Sequence, residues 1–261
     1  MQRISYIGSV SKSRYLPSQF SVVFFCRIVD YVPSYSLCPV MLENMIVGKV
    51  PIPTDPHELP QFIMCRLHNA FETAFNNTLT LLEEPRSDDL KNFLGYCKAW
   101  CKVLLSHHNN EELIMFPYLQ RRLDFAKELE QHRSMHKSLE ELLEKIALAR
   151  KDPTKFDPKG LIQILKSAED NLKAHLRQEI EDLAPERLKV FAGEEMEELM
   201  SSLYKYVMKH ENPVLVLPFV RSHTPAEYKS WPPLPWAIEK LLLPLLALRH
   251  RGYWKYSPYS I

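Results

Sequence analysis

The chain has 261 residues, 46% of them hydrophobic and 25% charged, with a formal net charge of +1. This is ordinary globular usage, which excludes a disordered chain or a disulfide scaffold, and the near-neutral balance gives no electrostatic reason to expect nucleic acid or an anionic membrane as main partner. Five cysteines, Cys26, Cys38, Cys65, Cys97 and Cys101, form no C-x-x-C pair and point to a reducing, intracellular compartment, the cytoplasm first of all.

No apolar run reaches the roughly 20 residues that span a bilayer. Phe20 to Val29 is short and broken by Arg27. Leu241 to Leu248 is short, carries Pro244 and follows Glu239 and Lys240, so both runs are expected to be buried locally.

Residues 1–55 are rich in Ser and Tyr and carry Arg3, Lys12, Arg14 and Arg27 with no acidic residue before Asp30. An organelle transit peptide has this composition, which makes the mitochondrion the alternative compartment. A poorly ordered extension ahead of an internal start at Met41 or Met45 is the preferred reading.

Residues 56–184 read as one all-α domain, an up-down-up-down four-helix bundle. Of the 20 prolines only Pro85, Pro117, Pro153 and Pro158 fall between residues 61 and 184, and three of them mark breaks in the apolar pattern. The first helix is predicted over His57 to Leu82, with Met64, Leu67, Phe71, Phe75 and Leu79 on one side. The second follows Ser87 as N-cap and carries Phe93, Cys97, Trp100, Leu104 and Met115 to about Leu123. The third holds Leu129, Leu139, Leu143 and Ile146 and stops before Asp152-Pro153. The fourth starts at Asp157-Pro158, an N-cap followed by proline at the first helical position, and runs through Leu161, Leu165, Leu172 and Leu176 to Leu183. Short loops between long helices favour antiparallel neighbours. In residues 185–261 a further helix is expected from Pro185 to His210, interrupted at Gly193, and then an irregular tail rich in proline and aromatic residues packed on the bundle.

Six of the ten histidines fall between residues 68 and 175, and most interrupt an apolar stripe. A buried polar side chain without a partner costs about 1 to 3 kcal/mol, so the pattern demands a reason. Three helices carry ligand-type pairs four residues apart, His107 with Glu111, His132 with His136, and His175 with Glu179, and that spacing places both members on one helical face. The first helix adds His68. Distances from the shared loops set all seven at one level of the core, within about 5 Å at 1.5 Å rise per residue. Imidazole and carboxylate without thiolate suit iron, manganese or zinc, and seven ligands exceed one tetrahedral zinc, so a dinuclear centre is the natural stoichiometry. His108 and Glu112 form an equally spaced pair beside His107 and Glu111. On a helical wheel His108 lies nearer the centre of the stripe than His107, whereas Glu112 lies at its edge. Met115, Cys97 and Cys101 read as core packing, and His57, His210, His223 and His250 as surface or loop residues.

Leu67-His68-Asn69-Ala70-Phe71, then His107-His108-Asn109-Asn110-Glu111-Glu112 running into Met115-Phe116-Pro117, Glu130-Gln131-His132 with His136, and His175-Leu176-Arg177-Gln178-Glu179 together resemble the hemerythrin-like HHE cation-binding domain. The resemblance is strongest to its fungal members, which share a segment like Phe93-Leu94-Gly95-Tyr96-Cys97 with Trp100, and it covers about residues 46–256. It implies two iron ions, one held by His132, His136 and His175 and the other by His68 and His107, with Glu111 and Glu179 as bridges and an oxo or hydroxo group possible between them. It also implies the ligand role for His107, leaving His108 and Glu112 at the rim as alternative ligands. Oxygen-carrying hemerythrins place an aspartate five residues after the last histidine; Ile180 stands there in this chain, and Glu179 is the HHE pattern. The expected function is therefore a sensor, buffer or carrier that binds oxygen, nitric oxide or iron, with no membrane span and no nucleic acid. A diiron oxidase or peroxidase, or a helical interaction scaffold with an empty site, are the alternatives.

Overall fold

The computed structural model describes residues 52–85 and 87–261. Most of the expected amino-terminal extension, with Phe20 to Val29, lies outside the described residues. Among those described there is helix and no strand, and no helix is long and apolar enough to cross a membrane.

Four long helices form the bundle. α1 (Leu59–Glu83) starts with Pro60 in its first turn, where the missing N–H costs nothing. A 3₁₀ turn, Ser87–Asp89, leads into α2 (Leu90–Asn110), so α2 begins two to three residues later than an N-cap at Ser87 would set it. α3 is Ala126–Lys151. α4 (Pro158–Asp182) begins as its sequence dictates, with the Asp157 carboxylate accepting from the Gly160 N–H at 3.0 Å and Pro158 in the first turn. α1 packs on α2 and α4, and α3 packs on the same two, which closes the bundle. The interior away from the histidines is aromatic and aliphatic, built on Phe71, Phe75, Phe93, Tyr96, Trp100 and Leu104 with Leu142, Ile146, Leu161 and Leu165. Cys97 and Cys101 lie within it, and burial pushes the Cys101 thiol up to about 12, so both serve as small apolar packing groups.

The second helix departs from the expected unbroken run to Leu123. After Asn110 the chain makes a π turn, Glu111–Met115, in which the Phe116 N–H bonds the Glu111 carbonyl, before a short α segment, Phe116–Leu119. Pro117 supplies a physical reason: with no N–H and a bulky ring it cannot continue a tight ladder, and the wider turn accommodates it.

The carboxy-terminal region is more helical than its proline content suggests. The run expected from Pro185 to His210 divides into Pro185–Leu188 and α5 (Gly193–His210), so Gly193 starts a helix rather than interrupting one. Glu195 accepts from the Ala192 N–H at 2.8 Å and pairs with Arg121 and Arg122, pinning the start of α5 to the end of the second helix. The tail contains α6 (Pro213–Ser222), a π turn at Ile238–Leu242 that runs into the helix Leu243–Leu248, and the turn Arg251–Trp254. Pro213 and Pro244 sit in the first turns of their helices, where proline is compatible with helix. Gly95 in α2 lets the last turn dock: a Cβ there would run into the Tyr253 ring.

His223 corrects a reading from the sequence. It is buried at the end of α6, its Nδ1 donating to the Phe219 carbonyl at 2.8 Å and its Nε2 accepting from the Tyr96 hydroxyl at 2.9 Å. Asn77 in turn donates to the Tyr96 oxygen at 2.8 Å. His57 is likewise half-buried, its Nε2 3.0 Å from the Phe191 carbonyl. Tyr96→Phe should leave His223 Nε2 without a donor and cost about 1 to 3 kcal/mol, read as a drop in melting temperature with metal content unaltered. A melting curve identical to wild type would show that this network carries no stability.

Candidate metal centre

Each bundle helix brings its ligand-type residues to one level. α1 supplies His68. The last turn of α2 supplies His107 and His108, and the π turn supplies Glu111. α3 supplies His132 and His136, and α4 supplies His175 and Glu179. Two groups result, His68, His107, Glu111 and Glu179 on one side and His108, Glu111, His132 and His175 on the other, with the ligand atoms of each group within 4.8 Å of one another. Every member is buried and Glu111 belongs to both.

His68 and His132 point a lone pair inward because the outer nitrogen of each is engaged, whereas His175 Nδ1 is buried without a partner. His68 Nδ1 donates to the Leu176 carbonyl at 2.9 Å, so its Nε2 is the acceptor nitrogen, and it faces His107 Nε2 at 3.3 Å and Glu179 Oε2 at 3.2 Å. His132 Nδ1 donates to Glu112 Oε1 at 2.9 Å, which turns its Nε2 toward His175 Nε2 at 3.2 Å and Glu111 Oε2 at 3.6 Å. His107 Nε2 lies 2.7 Å from Glu111 Oε1, and His175 Nε2 lies 3.7 Å from Glu179 Oε2. An outer hydrogen bond that fixes tautomer and ring orientation is the usual support of a metal-ligating histidine. Both oxygens of Glu111 and of Glu179, together with His108 Nε2, are buried with no hydrogen-bond partner. Converging nitrogen lone pairs and carboxylate oxygens, the oxygens without a hydrogen bond and all of them screened from water, repel one another unless a proton or a cation lies between them. The donor set thus fits a metal ion in each group.

Residues 62–187 match the family of the hemerythrin HHE cation binding domain. This part of the chain is a hemerythrin HHE domain. A curated relative, the "Dimeric xanthone biosynthesis cluster protein R11" of Cryptosporiopsis sp. (strain 8999), is 24% identical over 204 residues, covering 75% of this chain and 76% of its own length. No solved structure matches.

Six of the seven expected ligands of the HHE domain, His68, His107, Glu111, His132, His175 and Glu179, fall within the two groups. His136 stands further out, half-buried, with its Nε2 3.2 Å from His108 Nδ1. His108 occupies the inner position and stacks on His132 with ring centroids 4.1 Å apart. Glu112 is partly exposed and acts on the centre through its bond to His132. The position of His108 near the centre of the apolar stripe was the signal for its place in the core.

The electrostatics of the HHE domain follow from burial. Burial, with further repulsion from neighbouring imidazoles, holds His107, His108 and His132 below the ordinary histidine range and brings His175 down to about 3, so each imidazole is neutral at physiological pH. Burial raises the Glu111 carboxyl, and the Glu179 charge raises it further. Burial also acts to raise Glu179, but the close approach of His68 Nε2 at 3.2 Å and the nearby His175 and His107 outweigh it and hold that carboxyl down at about 2. Without metal the two glutamates are therefore unequal, Glu179 ionised among the histidines and Glu111 favouring its proton. A cation that displaced that proton would make both anionic.

Proposed function

We propose that the HHE domain holds a carboxylate-bridged pair of iron ions and uses it to bind a small ligand, oxygen or nitric oxide, or iron itself, as a sensor, buffer or carrier. One observation carries this reading: Glu111 is shared by two buried four-residue donor groups, and both of its oxygens lack any other partner. A carboxylate so placed would offer one oxygen to each of two ions. Glu179, between His68 and His175, would be the second bridge. The first ion would take His68 and His107; the second would take His132, His175 and a third imidazole. We assign that third place to His108, whose Nε2 faces the group unpaired, with His136 holding its ring from outside through Nδ1. The iron pair would supply the redox and ligand-binding chemistry, while the chain fixes imidazole tautomers, keeps the carboxylates unpaired and excludes bulk water.

The relative named for a dimeric xanthone biosynthesis cluster favours a second reading, an oxidase or peroxidase that turns over an organic reductant at the same centre. Reductant consumption under oxygen or peroxide by iron-loaded protein would select it over reversible binding.

The test of the main reading is metal content and the absorption spectrum of protein purified in air. About two irons per chain with near-ultraviolet charge-transfer bands are expected, and a single zinc with indifference to iron would refute the diiron assignment. Within it, His108→Ala should lose about one ion per chain. His136→Ala, which removes an outer partner, should weaken binding by about 10- to 100-fold and be restored by excess iron. The opposite ranking of the two variants would return the third place to His136.

A further inference from the structure

The helix Leu243–Leu248 and the π turn before it carry no charged residue between Lys240 and Arg249. Only Leu243 is buried there, on the side where this helix meets α6. Leu241, Leu245 and Leu248, spaced four and three residues apart, form an outward ridge with Leu242 and the nearby Trp236; Leu245 is 63% exposed and Trp236 69%. The expectation that this leucine run is buried locally is thus overturned for most of its length. Isolated apolar residues on a surface are common, but a contiguous ridge marks a contact.

Beside the ridge opens a cleft of about 630 Å³, lined by Leu248 and by five cations, Lys91, Arg150, Arg249, Arg251 and Lys255, with no carboxylate in its lining. Lys255 pairs with Asp89, but among the described residues Lys91, Arg249 and Arg251 have no acidic partner within ion-pair distance. Leu248 belongs to both features, so apolar ridge and basic cleft are continuous. Charges are screened beyond about 8 to 10 Å at physiological salt, so an approaching surface senses this local cluster and not the overall charge of +1.

We infer that this face is a peripheral docking site for an anionic lipid membrane, the leucines and Trp236 entering the headgroup boundary while the cations of the cleft meet phosphate and carboxylate headgroups. Leucine and tryptophan flanked by lysine and arginine on a helix too short to span is the pattern of interfacial attachment. Self-association would use the leucine ridge but leave the uncompensated cations of the cleft unused, and it is one outcome of the test below.

Cosedimentation of the full chain with vesicles of phosphatidylcholine, with and without phosphatidylserine, tests the assignment, and Trp236 is an internal reporter because Trp100, Trp231 and Trp254 are buried. Binding is expected to the serine-containing vesicles only, with a blue shift of tryptophan emission and a loss of binding as salt rises. Arg249→Ala with Arg251→Ala should lower the partition coefficient about 25-fold, at about fivefold per cation near the surface. Leu245→Glu with Leu248→Glu should abolish the blue shift, and all variants should retain the melting temperature and metal content of the parent. Equal binding to both vesicle types, binding unaffected by either pair of substitutions, or a dimer in light scattering whose emission is already shifted without vesicles would overturn the proposal.

Discussion

Chelating the metal at neutral pH is expected to lower the melting temperature by on the order of 20 °C. Metal binds the folded state far better than the unfolded one, and a site held at a thousand times its dissociation constant stabilises by about 4 kcal/mol. Two such sites give about 8 kcal/mol, and in a domain of this size each kcal/mol moves the midpoint by about 2 to 4 °C. What remains on chelation is a helical bundle with unpaired carboxylate oxygens on Glu111 and Glu179 at its centre. The second and fourth helices, which carry those glutamates, should exchange amide protons faster. Acid should narrow the difference. A histidine whose folded pKa lies below its unfolded value of about 6.5 costs the fold stability as pH falls through that range, because the unfolded chain takes up the proton first. His175, at about 3, and His223, at about 4, are such groups, and protons also compete with metal at the ligand histidines. Both melting curves should therefore fall below pH about 6.5, the metal-loaded one more steeply. Equal midpoints with and without metal at neutral pH would mean that these residues do not form a buried metal site.

Glu111→Gln should empty both halves of the centre at once. Glu111 is the one residue common to the two donor groups, and an amide retains its shape while losing the charge that would neutralise two cations. Affinity should fall by more than about 100-fold at both sites, beyond the loss typical of an outer partner. Stability should move the other way in the absence of metal. The glutamine is neutral at every pH, whereas the buried Glu111 of the parent must either take up a proton at neutral pH or stay charged beside Glu179, so the metal-free variant should be about 1 to 3 kcal/mol more stable than the metal-free parent. Metal analysis and melting curves in chelator read the two effects separately. Retention of one tightly bound iron by the variant would show that Glu111 serves a single ion and bridges nothing.

Much of the site was legible along the chain, because a helix repeats every 3.6 residues and His107 with Glu111, or His175 with Glu179, must share a face wherever the helix lies. The start of α4 was equally local: Asp157 and Pro158 determine it through one hydrogen bond and one fixed dihedral angle. What a wheel cannot represent is the π turn at Glu111–Met115, which changes the angle per residue just where the ligands are delivered. The relative places of His108 and His136 depend on how α2 rotates against α3, a packing outcome with no local signature. His223 became a core residue only because Tyr96, far away in sequence, presents a hydroxyl to it. The tail illustrates the same division in reverse. Its prolines and leucines are written in the sequence, but whether Pro213 and Pro244 break a helix or begin one, and which leucines meet α6 and which meet solvent, depends on neighbours brought from elsewhere in the chain. Sequence by itself determined the helices and the chemistry they carry, since both arise from residues within one or two turns of each other; tertiary structure decided which of those residues touch, because burial is a property of the assembled bundle and not of any single helix.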